Sequence, residues 1–284
     1  MSESRSIVEV INDYLSTNTL DVPVFHGVAI KLQQVLARPD FTIEEVSQLI
    51  IADPALTSKV LRIANSSFYS GLSKTTTIRD AVVRLGAREV ANIAMMASQQ
   101  DFYRTGDNQL SKIMQTLWKH ALCCAIGSKW LASKTGYGAL ANEAFLAGLL
   151  HDIGKLFLLK VMEELGKSAQ FKTTLSPALV TEVLNSMHQE QGFLLMQKWN
   201  MPEIYCDVVH EHHAEPWNQG NALLALVRLG NKACNKLAIG MRPDTSLVLF
   251  ATTEAQVLGA KEIILAELEI VIEDAEKMTQ TAGK

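Results

Sequence analysis

The chain has 284 residues, of which 48% are hydrophobic and 20% charged, enough for one large or two ordinary domains with a sizeable core. Its formal net charge of −4 excludes a general attraction to nucleic acid or acidic lipid. Seven prolines and sixteen glycines are few for this length, and this scarcity of helix-breaking residues favours a mostly helical protein.

Residues 1–10, the apolar runs and the cysteines indicate the cellular compartment of the protein. Residues 1–10 lack the apolar core of a signal peptide, and the apolar runs elsewhere are too short to span a bilayer. The four cysteines form no C-x-x-C pair and lie in apolar helical contexts, as core thiols of a reducing compartment do. We therefore predict a cytoplasmic protein that does not enter membranes.

Capping signals mark the helices of the first hundred residues. Pro23 is predicted to open the first of these helices. Thr42 and Glu45 form a capping box, in which a hydroxyl and a carboxylate each accept a backbone N–H at the start of a helix. Asp53 and Pro54 supply an N-cap and a first helical residue. Two further helices are expected, one over residues 77–85 that Gly86 stops and one over residues 89–97.

A polar segment at residues 103–109 is the predicted boundary between two subdomains, residues 1–108 and residues 109–284. A long helix is predicted over residues 110–134 from its apolar periodicity, ending before Gly136. The apolar run at residues 247–250 is short and isolated, so no sheet is predicted. Further helices are expected over residues 142–150, 155–165, 177–184, 189–199, 202–212 and 222–237, with two more at the C-terminus.

An adjacent His151 and Asp152 follow the apolar run at residues 145–150. Two ionisable side chains at a buried helix end must find partners or cost free energy. An imidazole nitrogen and a carboxylate that can bridge two ions suit a divalent metal. On a continuing helix Lys155 shares their face and would direct its ammonium at an anion held there. The alternative is a helix end capped by its own side chains.

The histidines extend this pattern. His26 stands apart and is predicted to be an ordinary residue on a helix surface. His188 is predicted to start a helix, with Gly192 one turn later allowing close backbone approach. Spacing alone leaves open whether the others form a metal site or are separate core and cap residues. Six histidines lie at helix ends or on apolar faces and look like one convergent cluster: His120, His151, His188, His210, His212 and His213.

Four longer stretches of the chain form a recognisable pattern: residues 53–66, residues 77–86, residues 147–155, and residues 199–202 followed by His212 and His213. Together they resemble a known family, the HD-related output domain (HDOD) family. The resemblance covers roughly residues 15 to 240 and implies an all-α fold of two packed helical subdomains, the second a bundle related to HD phosphohydrolases. Members of this family are bacterial signalling modules, most of which are thought to have lost catalysis.

The related HD and HD-GYP hydrolases keep a metal centre, and the resemblance implies which residues of this chain correspond to it. Lys155 matches a lysine that contacts phosphate, and Asp152 would anchor or bridge the ions. Asn231 stands at the position of the closing aspartate. Asp53, Asn65 and Ser66 are the residues that the resemblance singles out in the groove between the subdomains. The implied metal ligands are His120, His151, Asp152, His188, His212, His213 and Asn231.

Three departures from the hydrolases weaken a two-metal centre. Thr116 stands where HD-GYP enzymes place a glutamate one turn before the first histidine. Asn231 replaces an aspartate, and the GYP segment is absent after His213. Losing two carboxylates removes two negative charges that would face the ions. A single ion held by imidazoles and Asp152 remains compatible, and such a nitrogen-rich set favours iron, manganese, zinc or nickel over magnesium or calcium.

Three functions remain open at this stage. The first is a stand-alone signalling module that acts by binding a protein partner or a nucleotide ligand. The second is a metal-dependent phosphohydrolase acting on a nucleotide or cyclic dinucleotide, with Asp152 and Lys155 as its catalytic residues. The third is a remnant site in which the histidines only form hydrogen bonds. For Asp53, a helix cap is the simpler interpretation, and Asn65 is expected to end its helix in the left-handed region.

Overall fold

The computed structural model describes residues 7–17, 27–66, 69, 74–167 and 176–281. The described part is all helical and contains no strand, as predicted. The predicted helix start at Pro23 and the isolated His26 lie outside the described residues. No helix among the described residues combines the length and apolar character that crossing a membrane requires.

Among the described residues, six α-helices precede residue 100, and three of them begin just after Thr42, Asp53 and Thr77, as predicted. Thr42 and Glu45 form the predicted capping box, and Asp53 accepts a bond from the Leu56 N–H at 2.9 Å. Gly86 ends a helix with φ at +86°, a conformation that favours glycine. The helices are α1 (Ile7–Thr17), α2 (Gly27–Leu36), α3 (Ile43–Ile51), α4 (Pro54–Ala64), α5 (Ile78–Leu85) and α6 (Ala87–Gln99).

Eight more α-helices follow in the described part of the chain, and the first is the predicted long helix, which Asp107 caps. The predicted break at residues 185–188 is wrong, because that polar stretch lies inside one continuous helix. The helices are α7 (Asn108–Lys134), α8 (Ala141–Leu150), α9 (Ile153–Lys167), α10 (Pro177–Lys198), α11 (Glu203–Glu211), α12 (Ala222–Lys236), α13 (Thr253–Val257) and α14 (Glu262–Thr281).

The described helices pack around two apolar cores. The smaller is built from α2 to α6, and the larger surrounds α7, which packs against α8, α12 and α14. Ile11 and Tyr103 from the first part of the chain reach the larger core. Polar contacts join the two parts, including Arg88 to Glu143 at 3.0 Å. A division into residues 1–108 and 109–284 stays a prediction.

The expectation for Asn65 is wrong in one respect. It ends α4 with φ −98° and ψ 4°, outside the left-handed region. Its side chain instead bonds Thr75 in both directions, donating to the Thr75 carbonyl at 2.8 Å and accepting from the Thr75 N–H at 2.8 Å. A side chain that satisfies the backbone in this way removes the need for a left-handed cap.

Candidate metal centre

Helix α7 carries the first histidine in its middle. His120 is buried, and its Nδ1 lies 2.8 Å from the carbonyl oxygen of Ile239. The next residue, Gly240, has φ at +132°, and a Cβ there would lie 2.7 Å from the same Nδ1. Only glycine fits a backbone that approaches the ring so closely. The loop after α12 therefore fixes the orientation of this imidazole.

The adjacent His151 and Asp152, called the HD pair below, lie at the junction of α8 and α9. His151 ends α8 and is fully buried, with its Nδ1 2.7 Å from the carbonyl oxygen of Gly148. Asp152 is also buried, and the Lys155 ammonium donates to its Oδ2 at 2.7 Å. The predicted approach of Lys155 to this pair is thus present. Its nearest anion in the described chain is the carboxylate itself.

Helix α10 brings His188 to the pair through a close crossing with α9. His188 is buried in the middle of α10 rather than at its start. Gly154 of α9 lies against the α10 backbone, since a Cβ on it would lie 1.9 Å from the carbonyl oxygen of His188. A Cβ on Gly192, the glycine noted in the sequence, would meet Val209 at 2.7 Å and the Gly154 nitrogen at 3.1 Å. Two glycines therefore let these helices meet beside the site.

The last two histidines follow the C-terminal end of α11. His212 is buried, and its Nδ1 lies 2.9 Å from the carbonyl oxygen of Val209. His213 is partly buried, with its ring centroid 4.2 Å from that of His212. His210 does not lie in the cluster, so the expectation that six histidines converge is wrong for this residue. It is 46% exposed and stacks on Phe193.

These side chains surround the carboxylate of Asp152. On its Oδ2 side, the Nε2 atoms of His120 and His151 lie at 3.6 and 3.4 Å. On its Oδ1 side, the Nε2 atoms of His188 and His212 lie at 3.6 and 3.4 Å. Ligand atoms about 2.1 Å from one tetrahedral ion lie about 3.4 Å apart. The spacing on both sides therefore matches that of atoms sharing an ion.

The tautomers support the same interpretation. A backbone carbonyl only accepts, so Nδ1 of both His120 and His151 carries the proton. The neutral rings then present unprotonated Nε2 atoms to each other at 3.2 Å. Two lone pairs at this distance repel unless a cation lies near them. On the other side, Asp152 Oδ1 and His213 Nε2 are buried without a hydrogen-bond partner in the described structure, and an ion would satisfy both.

Two groups of side chains have the geometry to hold a metal ion. One atom from each member lies within 4.8 Å of the others in its group. Asp152 is common to both groups, with one oxygen facing each. The groups are Asp152, His188, His212 and His213, and His120, His151 and Asp152.

Burial sets the protonation states of these groups. It lowers the pKa of His188 to about 3 and holds the pKa values of His120, His151 and His213 below their ordinary value. Burial alone would raise the pKa of Asp152, but the Lys155 ammonium and the imidazoles hold it well below its usual range. These four imidazoles are therefore neutral beside an ionised carboxylate, and both are in the form that binds metals.

These shifts predict how the metal-free protein responds to acid. Below about pH 6.5 the histidines of the unfolded chain take up protons while the buried ones do not. The free energy of unfolding should therefore fall as pH drops from 7.5 to 5.5, by up to about 1.4 kcal/mol per pH unit for each such histidine. Urea unfolding in chelator at several pH values measures this slope. His188→Gln should lower the number of protons taken up on unfolding by about one. A free energy of unfolding that does not change with pH would contradict burial of these histidines in the neutral form.

Asn231 and Thr116 are the two positions at which the resemblance leads one to expect a carboxylate. Asn231 is buried and lines a cavity of about 510 Å³ together with His212 and His213. The same cavity is lined by positive charges, including Lys232 and Arg242, and by the negative charges of Glu215 and Asp244. Thr116 lies one turn before His120, and its hydroxyl donates to the Lys112 carbonyl at 3.0 Å. The cavity gives the cluster a side from which a small ligand could approach.

Sequence reasoning missed two residues that shape the site. Gly240 fixes His120, and Arg228 donates to the backbone carbonyl of His212 at 3.1 Å. Arg228 did carry a signal, because it is the one charged residue in the apolar run at residues 222–229. Gly240 carried no comparable signal.

Comparisons with known proteins agree with this fold. The HDOD domain family profile matches residues 22–215. An HDOD domain protein of unknown function from Geobacter sulfurreducens has a crystal structure that matches with a TM-score of 0.76 and 26% identity, covering 96% of each chain. A protein from Shewanella amazonensis SB2B, provisionally named a metal-dependent phosphohydrolase, matches with a TM-score of 0.67 and 19% identity over 95% of this chain and 97% of that one. At that identity the likeness concerns the fold alone.

One curated relative matches over a smaller share of its own length. It is an uncharacterized protein of Treponema pallidum (strain Nichols), 25% identical over 200 residues. These residues are 69% of this chain and 38% of the relative, so the chain spans well under half of that protein's length.

Proposed function

Because this chain belongs to the HDOD domain family, we propose that it is a signal-transduction module that binds a transition-metal ion and, beside it, an anionic ligand. The observation that carries the proposal is the convergence of four buried imidazoles and one partly buried imidazole on one buried carboxylate. The packing of an apolar core does not require such a set, because each buried polar group costs free energy unless it has a partner.

The Oδ1 side of Asp152 is the better fit for the ion. Three histidines face it, and Oδ1 itself is without a hydrogen-bond partner among the described residues. The Oδ2 side already accepts from Lys155. Three imidazole nitrogens and one carboxylate oxygen favour iron, manganese, zinc or nickel. His120 and His151 would hold a second ion only in competition with the Lys155 ammonium.

Charge indicates the kind of ligand. With one divalent ion bound, the ion and Lys155 together outweigh the single negative charge of Asp152, leaving about two positive charges in a buried site. A buried excess of this kind favours an anion. The cavity beside His212 and His213 is lined by acids, Glu215 and Asp244, as well as by cations. Lys232 is already paired with Glu254 at 2.6 Å, so the ion and Lys155 would supply the attraction for a phosphate-bearing molecule such as a nucleotide. We further propose that the module binds a protein partner in a signalling pathway. The surface of the described residues does not indicate which protein this is.

The groove residues implied by the resemblance support this proposal less well. Asp53 caps α4, and Asn65 fastens the segment at Thr75, so both have structural tasks. The simpler interpretation of Asp53 therefore agrees with its observed bond. We place the ligand at the metal cavity instead.

A metal-dependent phosphohydrolase is the second candidate, favoured by the cavity that adjoins the ligand set. Lys155 would hold positive charge beside a phosphate, and Asp152 would fix the ion that polarises it. When bound, an ion of this kind supplies Lewis acidity toward phosphoryl oxygen and lowers the pKa of a water molecule. Thr116 and Asn231, which stand in place of two carboxylates, place this candidate second.

An assay on bis(p-nitrophenyl) phosphate with added Mn²⁺ or Fe²⁺ separates the two. The signalling proposal expects ion binding with turnover no higher than that of the double variant His151→Ala, Asp152→Ala. Turnover that the double variant loses would favour the hydrolase. Turnover that survives in the double variant would not come from this site.

The substitution Asn231→Asp is expected to tighten metal binding. It restores a negative charge at the position that an aspartate holds in the related hydrolases, and a carboxylate neutralises an ion where an amide does not. The measurement is a competition titration with a coloured chelator. Asn235→Asp is the matched control, because it lines the same cavity one turn later on α12. Equal gains in both variants would count against a specific place for Asn231 beside the ion.

A further inference from the structure

Arg228 lies inside the apolar face of α12. It is 3% exposed, between the fully buried Val227 and Leu229. A buried arginine is costly unless most of its five N–H donors find acceptors. Its partners therefore indicate what it is there to hold.

One side of the guanidinium faces the end of α11. Nη1 lies within hydrogen-bond distance of three backbone carbonyl oxygens, those of Glu211 at 3.3 Å, His212 at 3.1 Å and Ala214 at 3.0 Å. Carbonyls at a helix C-terminus lack partners within the helix, and a positive charge there is favourable. The segment that carries His212 and His213 is thus fastened by its backbone.

The other side of the guanidinium is itself held in place. Nε donates to Oε1 of Glu254 at 2.8 Å, and Glu254 is fully buried at the start of α13. The second oxygen of Glu254 accepts from Lys232 at 2.6 Å. Nη2 bonds Glu215, and the guanidinium carbon lies 4.8 Å from the centre of the Trp217 ring. The arginine therefore has little freedom to move.

We propose that Arg228, held by Glu254, is a positioning residue that sets the imidazoles of His212 and His213 against Asp152. The ring of His212 is tied through Nδ1 to Val209 of its own helix, so its distance to Asp152 depends on where that helix ends. Arg228 fixes that end from a different helix. The proposal rests on the proposed function, because it concerns the residues that would hold the ion.

The geometry calls for arginine rather than lysine. A planar guanidinium can donate to Glu254 from one edge and to the carbonyls from another at the same time. An ammonium at this position keeps the charge but cannot span both sets. Arg228→Lys should therefore recover only part of what Arg228→Met loses.

The test measures Zn²⁺ affinity of the full untagged chain by competition with a coloured chelator. Arg228→Met should bind Zn²⁺ about 10- to 100-fold more weakly, as loss of an outer-shell partner typically does, with Arg228→Lys in between. The double variant Arg228→Met, Glu254→Gln removes both charges and should weaken binding to a similar degree even if the single variant folds poorly. Lys236→Met is the matched control, because it breaks another ion pair of α12, with Glu269 at 2.5 Å. It should leave affinity unchanged.

A second readout is independent of metal. The amides of His212 and Ala214 bond the carbonyls of Val208 and Glu211 at 3.1 and 2.9 Å, so hydrogen exchange reports on this segment in chelator. Their protection should fall at least tenfold in Arg228→Met and not in Lys236→Met. If the parent chain binds no Zn²⁺, the metal proposal fails while the exchange result still tests the positioning role. Equal affinity and equal exchange in the parent and in both Arg228 variants would overturn that role.

Discussion

Asp152→Ala is expected to abolish metal binding, with affinity falling at least 100-fold. Asp152 supplies the only carboxylate in both ligand groups of the described structure, and its two oxygens face different pairs of histidines. Without it an ion would face neutral imidazoles and the Lys155 ammonium, which repels it. Equilibrium titration with Zn²⁺ or Mn²⁺ measures the loss.

The same substitution leaves a buried lysine unpaired, which would destabilise the protein by about 3–5 kcal/mol. The double variant Asp152→Asn, Lys155→Met removes both charges and should recover most of this stability without recovering metal binding. Asp274→Ala, on the exposed face of α14, is the control for losing an ordinary ion pair. Tight binding by the folded double variant would place the ion elsewhere.

Gly154→Ala is expected to cause the second large effect. The added methyl group would lie 1.9 Å from the carbonyl oxygen of His188 and 2.8 Å from the nitrogen of Gly192, and both are backbone atoms. Helices α9 and α10 would have to separate, moving His188 away from Asp152. We expect a loss of about 3 kcal/mol in the free energy of unfolding and weaker metal binding in whatever folds. Urea unfolding and the chelator titration measure the two effects.

Gly166→Ala is the matched control on the same helix. Nothing lies within 4 Å of the position of its Cβ, so alanine should be neutral or add up to about 1 kcal/mol of helix stability. If Gly154→Ala were as stable as Gly166→Ala, the close crossing of α9 and α10 would not be a feature of the protein in solution.

The sequence predicted most helix boundaries because their signals are local. The Thr42 and Glu45 capping box, the Asp53 cap and Gly86 each act within one turn, and each appears as predicted. The helix containing His188 was predicted as two helices, residues 177–184 and 189–199, because no local signal decides whether they join. Its polar stretch at residues 185–188 has no proline or glycine, and only the packing of α10 on α9 and α11 decides that it stays helical.

The site was predictable in kind but not in arrangement. The HD pair identified its centre, and the five imidazoles that converge come from four separate parts of the chain. His210 was wrongly grouped with them, although residues two apart on a helix point about 200° from each other. That argument from the sequence places His210 on the opposite face from His212. The Gly240 and Arg228 contacts depend on tertiary packing, which the sequence alone does not specify.

The most direct test of the metal centre is an anomalous difference map from crystals of the untagged protein, with data collected at the absorption edge of the metal supplied. The metal centre proposed here requires a strong peak at coordination distance from Asp152 Oδ1 and the Nε2 atoms of His188 and His212. A map without density there after growth with iron, manganese, zinc and nickel in turn would contradict it.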